Sequence, residues 1–504
     1  MTNAWLFVKI SLIFKRKRDV MIFFVKIQCC NETITKEYTH EVLLSDVIRD
    51  CGFTFDLPCG GRGVCGNCKV IAKGLLSAPD EKEKTFLGCG IGNNERLACF
   101  TKVIGDAEIT IPKIDASKEV KNEETTHYTN PISGNKNCFA CAVDIGTTTI
   151  VFRYFSLPDG NILLEESVAN PQRNYGADVL TRIELASTEK GLLKLKALIE
   201  NEIEKSVTRF GNNVEYFIFT GNTAMLHILS GNCTDGLAVA PFKTKTLFGH
   251  WDNNRYFMPC ADAYIGGDVI ASVIASGMLD SNIPTALLDI GTNNECVLFD
   301  GENLFACSSP AGPAFEGGNI SCGVTAVEGA IYKVVDKNGL PKVHIIGNTD
   351  KAKGFCGSGL IDAIAFLLKN GYIAMDGSII REFPDFCGVS LTAEDVAELQ
   401  LAKSAVCAGL LTLCEAAGVF PKRILLSGSF GHHIDFENAE MIGLLPKGYA
   451  EICEISNSAI DGASDLLLDK KYIKSAEEIA DKIKVIELAD SEFFAKSFVE
   501  NMYF

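Results

Sequence analysis

Ala140-Cys-Ala-Val-Asp144-Ile-Gly146-Thr147-Thr148-Thr149-Ile-Val-Phe152 decides the fold, because the chain writes this pattern twice. About 145 residues later comes Ala286-Leu-Leu-Asp289-Ile-Gly291-Thr292-Asn293-Asn294-Glu295-Cys-Val-Leu-Phe299. Each copy is an apolar run of strand length that ends in Asp-Ile-Gly-Thr and resumes as a second apolar run. The reading is strand, tight turn, strand. A hairpin tip of glycine and threonines offers backbone amides and hydroxyls to phosphate oxygens. An aspartate at the strand end can hold Mg2+, directly or through water. One such hairpin is equally well an ordinary turn. Two at the spacing of a domain repeat point to a duplicated phosphate-binding unit.

A third element fits the pair. Arg423-Ile-Leu-Leu-Ser427-Gly428-Ser429-Phe430-Gly431 reads as a buried strand ending in a glycine turn, after a long apolar helix over about 394–418. Together the three resemble the acetate and sugar kinase, Hsp70 and actin superfamily, in which two duplicated ribonuclease-H-like subdomains close on ATP. The resemblance covers residues 138–465. It implies that Asp144 with Gly146, Thr147 and Thr148 forms the first phosphate loop. Asp289 with Gly291, Thr292 and Asn293 would form the second, and Gly428, Ser429 and Gly431 the adenosine-side loop.

The N-terminal part carries a different signal. Cys59-Gly-Gly-Arg-Gly-Val-Cys65-Gly-Asn-Cys68 is followed by a fourth thiol in Arg96-Leu-Ala-Cys99. Three close thiols among glycines with one more distant suit a [2Fe–2S] cluster, whose two irons need four converging thiolates and whose sulfurs take backbone amides. Cys59, Cys65, Cys68 and Cys99 are the expected metal ligands. Cys89, in Leu87-Gly-Cys-Gly, is the rival for the fourth place; the Arg-Leu-Ala-Cys context favours Cys99. Strand-like runs at 21–28 and 32–39 pair as a hairpin, a helix covers Leu43–Asp50, and strand material returns at Val70 and from Arg96 to Ile111. That order resembles the β-grasp of plant-type and adrenodoxin-type ferredoxins.

Composition sets the bounds. A chain of 504 residues holds about two to four domains. A formal net charge of −17 argues against nucleic-acid binding, which wants a basic surface. Twenty cysteines across this length do not form a secreted disulfide scaffold. Many lie in apolar runs, as do Cys407 and Cys414, and read as reduced buried thiols in a cytoplasmic protein. Cys138 and Cys141 read the same way, and the adjacent pairs Cys29-Cys30 and His432-His433 are given no metal. The apolar run Leu6–Phe14 is too short to span a membrane, and Lys15-Arg-Lys-Arg18 follows it, so it is a poor leader. No membrane segment is expected, and Met21 is the expected natural start.

The expected fold class is α+β and multidomain: a β-grasp [2Fe–2S] ferredoxin domain, a flexible linker, then duplicated ribonuclease-H-like α/β domains of the actin-like ATPase type. The boundaries are an N-terminal extension at 1–20, the ferredoxin-like domain at 21–113, a polar linker at 114–137, ATPase subdomains at 138–285 and 286–465, and a C-terminal segment at 466–504.

Further stretches narrow the family. They are Asn170-Pro-Gln-Arg-Asn-Tyr-Gly-Ala-Asp178-Val-Leu-Thr-Arg182-Ile, Thr220-Gly-Asn222, Ser309-Pro-Ala-Gly312-Pro-Ala-Phe-Glu316 and Cys356-Gly-Ser-Gly-Leu-Ile-Asp362. With a ferredoxin domain in front, the chain resembles the ATP-dependent reductive activators of corrinoid proteins. It departs from longer members, which carry a small extra domain between linker and ATPase, and this puts any dimer contact through that domain in doubt. The resemblance implies one-electron transfer from the [2Fe–2S] cluster to cobalt(II), regenerating cobalt(I) for methyl transfer. It implies ATP and Mg2+ as further cofactors, a corrinoid protein as acceptor and an external low-potential electron donor. Asp144 and Asp289 are the catalytic carboxylates in that reading, and Glu316 orients the attacking water, with Gln172 and Asp178 as rivals. Gly357-Ser358-Gly359 opens an apolar helix and reads as an anion site or a plain cap. The alternatives are an activator of another low-potential enzyme, and a nucleotide-sensing ferredoxin fusion that regulates a partner. The oligomeric state is left open.

Overall fold

The computed structural model describes residues 22–29, 32–53, 55, 57, 61–63, 66, 68–87, 94–111, 130–135, 138–157, 159–176, 178–240, 242–347, 349–428, 434–455 and 457–504. Cys30, Cys59, Cys65, Cys89, Ser429, Gly431, His432, His433 and most of the polar linker lie outside them. The chain forms two compact units, one of residues 1–116, 147–149 and 169–202, the other of 117–146, 150–168 and 203–504.

In the first unit, strict alternation in Phe23-Phe-Val-Lys-Ile-Gln-Cys29 makes a strand with one apolar face, β1. It pairs antiparallel with β2 (Glu32–Tyr38). β3 (Val42–Leu43), α1 (Leu44–Asp50), β4 (Lys69–Leu76), α2 (Glu81–Leu87), β5 (Glu95–Leu97) and β6 (Lys102–Ile111) follow. The sheet order is β2-β1-β6-β4-β5, with β1 and β6 parallel. β6 buries every second residue, and Val103, Ala107 and Ile109 meet Val25, Ile27, Leu44 and Ile48 in one core. The second piece of this unit is a 3-10 turn at Pro171–Tyr175, α3 (Val179–Ala186) and the first half of α4 (Glu189–Phe210). Asp178 caps α3, accepting from the Thr181 amide at 2.8 Å.

The second unit repeats one topology. β7 (Cys138–Ile145), β8 (Thr149–Leu157) and β9 (Asn161–Ala169) run consecutively, and β10 (Val214–Gly221) returns parallel to β7. After α5 (Thr223–Ser230), β11 (His250–Asp252) and β12 (Arg255–Phe257) complete the order β11-β12-β10-β7-β8-β9. α6 (Gly267–Ser276) leads to the second copy. There β13 (Thr285–Ile290), β14 (Asn294–Phe299) and β15 (Leu304–Ser309) are antiparallel in turn. A three-stranded insertion follows, of β16 (Ala330–Lys337), β17 (Leu340–Ile345) and β18 (Gly354–Phe355), then α7 (Gly357–Lys369) and α8 (Ala393–Ala417). β19 (Arg423–Ser427) returns parallel to β13, and β20 (Glu451–Glu454), α9 (Ser458–Leu468) and β21 (Lys484–Val485) give the order β20-β19-β13-β14-β15-β21.

α8 is long and apolar enough to cross a membrane, but most of that apolar stretch is buried. Val406 and Leu410 pack with Leu298 and Ile424, so the helix is a wall of the core. A second core joins the two copies, bringing Val269, Leu287, Val297, Leu425 and Leu466 together. Here α6 and α9 approach closely because Gly462 has no side chain: a β-carbon there would lie 2.0 Å from the Ala271 carbonyl oxygen. Gly462→Ala must push these helices apart and is expected to cost about 1–3 kcal/mol. Urea unfolding measures it, and an unchanged midpoint would disprove the close approach.

Candidate functional site

Both Asp-Ile-Gly turns connect paired strands, and both aspartates sit at the ends of central strands. Asp144 pairs across its hairpin with Val151, and Asp289 with Glu295. On the other side, Asp144 faces Thr220 of β10, and Asp289 faces Ser427 of β19. The next residue in each returning strand's path is a glycine with a left-handed φ, Gly221 at 145° and Gly428 at 113°. A β-carbon on Gly221 would come 2.7 Å from the Ile145 carbonyl, and one on Gly428 would come 2.8 Å from that of Ile290. Each glycine therefore lets its strand end close on the neighbouring Asp-Ile-Gly turn.

Four acids gather at this floor. Burial, then the charges of Asp268 and Asp289, push Asp144 up to about 8. Burial raises Asp268 to about 7, with the Asp289 charge adding to it and the Val269 amide opposing. Burial raises Asp289 to about 6. Glu295 is raised too, by burial and then by Asp268 and Asp289. All four residues are half-buried, with their carboxyl groups enclosed by protein. Thr220 Oγ1, beside Asp144 in register, is buried without a hydrogen-bond partner. Clustered, poorly solvated carboxylates with a spare hydroxyl fit a hydrated divalent cation carrying phosphate. Among the described residues, no three His, Cys, Asp or Glu side chains stand at direct metal-coordinating spacing.

Glu316 lies against the second loop: its Oε1 accepts from the Thr292 amide at 2.9 Å and the Thr292 hydroxyl at 3.0 Å. Gly291 donates to the Asn293 carbonyl at 3.0 Å, so the turn is braced from within as well. Gly146, Thr147 and Thr148 occupy the first turn, between β7 and β8. Gln172 is buried; its amide nitrogen donates to the Leu195 carbonyl, and its oxygen accepts from Arg182. Asp178 is the α3 cap. Ser358 donates to the Tyr332 carbonyl at 2.9 Å and is a buried packing group. Sequence reasoning missed Asp268 and Glu295. The signals were there: Gly266-Gly267-Asp268 opens a helix, and Glu295 stands opposite Asp289 in a short hairpin.

Of the expected cluster ligands, Cys68 and Cys99 are described. Their sulfurs are 3.3 Å apart. The hydrogen bond between the two sulfurs lowers the Cys68 pKa to about 7 against the effect of burial. Two sulfurs this close can serve one iron. Cys99 is placed by a buried ion pair just before it: Arg96 Nε and Nη2 meet Glu83 at 2.9 and 3.0 Å, and Glu83 also accepts from the Leu97 amide and the Thr101 hydroxyl. A β-carbon at Gly63 or Gly66 would strike the Phe100 or Phe86 ring, so the loop here must be glycine. Cys138 and Cys141 are buried in β7, and burial raises both thiols.

Two family models match: the RACo middle region over residues 139–281, and the C-terminal domain of RACo, the ASKHA domain, over residues 284–504. The corrinoid activation enzyme RamQ of Eubacterium limosum is 28% identical over 93% of this chain and 97% of its own length. The [Co(II) methylated amine-specific corrinoid protein] reductase of Methanosarcina barkeri is 29% identical over 50% of this chain and 52% of its own. The solved structure of a reductive activator for corrinoid, iron-sulfur protein shares the fold, with a TM-score of 0.64, 24% identity and coverage of 95% of this chain and 98% of that one. With both models matched in order along one duplicated fold, the chain belongs to the RACo family, whose C-terminal domain is of the ASKHA type.

Proposed function

We propose that this chain hydrolyses ATP to drive one electron from a [2Fe–2S] cluster onto the cobalt(II) of a corrinoid protein, restoring cobalt(I) for methyl transfer. The observation that carries it is the carboxylate floor under the two Asp-Ile-Gly turns, in a chain that also pairs Cys68 with Cys99. The names of the two relatives, an activation enzyme and a reductase of corrinoid proteins, agree with it.

Each motif takes one role in this reading. Cys59, Cys65, Cys68 and Cys99 would hold the cluster. When bound, it supplies a single electron at about −400 mV. Asp144 and Asp289 hold hydrated Mg2+. Amides and hydroxyls of Gly146–Thr148 and Gly291–Asn293 hold the phosphates, and Gly428–Gly431 meets the adenosine. Glu316 is a positioning residue that fixes Thr292. Asp268, raised to about 7, takes the role of orienting and deprotonating the attacking water. A cobalt(II) acceptor of lower potential makes the transfer uphill, about tenfold for every 59 mV. Nucleotide binding can favour the state that grips the oxidised partner, and hydrolysis then makes the cycle one-way. An external low-potential donor re-reduces the cluster.

Mixing the reduced protein with a cobalt(II) corrinoid protein and Mg-ATP is expected to produce the cobalt(I) absorption band. A band without ATP, or none with it, sinks the proposal. Asp289→Ala is expected to cut turnover at least about 100-fold while the cluster spectrum stays intact. Retained turnover would remove the second phosphate loop.

The carboxylate floor predicts a pH dependence. Asp144, Asp268 and Asp289 keep their protons to higher pH in the folded state than in the unfolded one. The native state therefore binds more protons between about pH 4 and pH 8, and stability falls as pH rises through that window. In EDTA the melting temperature should drop from pH 5 to pH 8, and Asp144→Asn should flatten the drop. Mg2+ with nucleotide should reverse it. Equal slopes for wild type and variant would contradict the cluster.

A further inference from the structure

The first compact unit holds three pieces of chain: the iron–sulfur domain, residues 169–202, and Thr147–Thr149 of the first phosphate loop. The segment 170–184 touches both of the others through directional contacts, those of the Asn174 side chain buried. Asn174 is 6% exposed, and its side chain clamps the main chain of the iron–sulfur domain just ahead of the cysteine loop. Its Nδ2 donates to the Phe53 carbonyl at 2.9 Å, and its Oδ1 accepts from the Phe55 amide at 2.8 Å. The Asn174 carbonyl accepts from Arg49 Nε at 3.1 Å and Nη2 at 2.8 Å. The Arg49 guanidinium also stacks 4.8 Å from the Tyr175 ring centre. Arg62, inside the cysteine loop, reaches the Thr181 hydroxyl at 3.3 Å and the Glu184 carboxylate at 3.5 Å.

The same segment holds the phosphate loop. Arg182 is fully buried. Its Nη2 donates to the Thr147 carbonyl at 2.6 Å, its Nε to the Gly176 carbonyl at 3.0 Å, and its Nη1 to Gln172 Oε1 at 3.4 Å. The Asn170 amide donates to the Thr148 carbonyl at 2.9 Å. A guanidinium is buried at this cost only where carbonyls replace its water. A buried amide that matches both a donor and an acceptor of a distant main chain is a built contact, since losing either partner strands a polar group.

We infer that segment 170–184 is a docking seat for the iron–sulfur domain, and that nucleotide at Gly146–Thr148 loosens it and frees the cysteine loop to meet the corrinoid protein. This rests on the ATP reading of the first loop. Peptide planarity links the Thr147 and Thr148 carbonyls, held by Arg182 and Asn170, to the main chain that would turn toward a phosphate. With Asn174 clamped on Phe53 and Phe55 and Arg49 on the Asn174 carbonyl, moving the iron–sulfur domain away requires breaking the seat. Coupling is reciprocal: if nucleotide weakens the seat, weakening the seat must tighten nucleotide binding.

The test uses the full-length, cluster-loaded protein, Mg2+ and a non-hydrolysable ATP analogue. Amide exchange over residues 44–57 is followed by mass spectrometry, and analogue binding by calorimetry. In wild type, protection at Phe53–Phe55 should fall when the analogue binds. Asn174→Ala should exchange fast there with or without it and bind it at least about fivefold tighter. An unaltered cluster spectrum establishes that the variant is folded. If it does not fold, Arg49→Ala is read in its place, with the same signs. Protection indifferent to bound analogue, or affinity unchanged or weakened in the variant, overturns the seat and leaves the ATP reading standing. No binding to wild type overturns both.

Discussion

Gathering like charges where water is scarce is the constraint on which the ATPase part depends. Burial raises all four acids, and on top of it Asp289 raises Asp268 while both raise Asp144 and Glu295. Such a floor is unfavourable unless protons or a cation neutralise it. The surrounding fold holds it from two repeated sheets. One aspartate comes from the end of β7 and one from the end of β13, each held by a parallel strand on one side and an antiparallel strand on the other. The approach is permitted by missing side chains: Gly221 against Ile145, Gly428 against Ile290, and Gly462 against Ala271. The core shared by α6 and α9 then holds the floor together.

The N-terminal sheet meets a similar difficulty by the opposite route. Its buried charge, Glu83, is fully partnered, with Arg96, the Leu97 amide and the Thr101 hydroxyl around it. Breaking such a group would leave a charge without water, so the stretch before Cys99 is rigidly defined. A carboxylate kept satisfied fixes geometry, whereas carboxylates kept crowded favour a cation. The chain uses one arrangement to fix the stretch before Cys99 and the other to crowd carboxylates under the two Asp-Ile-Gly turns.

What was legible in the sequence was local. The Asp-Ile-Gly hairpins, the 23–29 and 32–38 hairpin, α1 and the long apolar helix follow from periodicity and turn residues within a few positions. What escaped depends on register and on distant partners. Glu295 lay in a quoted stretch, but only the tight turn after Ile290 sets it against Asp289. Asp268 belongs to no repeat of the hairpin motif and reaches the floor from a helix start. Glu316 beside a glycine turn had the pattern of a free catalytic acid, whereas both of its contacts to Thr292 brace the loop. Asn174 and Arg182 also stood in a quoted stretch. Nothing local says that an asparagine will pair with main chain more than a hundred residues earlier, or that an arginine on the next helix will hold a phosphate loop.

A low-potential electron is easily lost, because almost any acceptor lies downhill from about −400 mV. A tether alone would present the cysteine loop to every encounter. Seating the domain on residues that also hold Thr147 and Thr148 changes which encounters count. Asn174 pairs with the main chain at Phe53 and Phe55, and Arg182 on the next helix holds the Thr147 carbonyl. The free energy that nucleotide spends on loosening the seat is then the same free energy that limits exposure of the electron before nucleotide is bound. In that arrangement ATP has two uses: it helps an uphill transfer, and it decides when the donor is allowed to look for its acceptor.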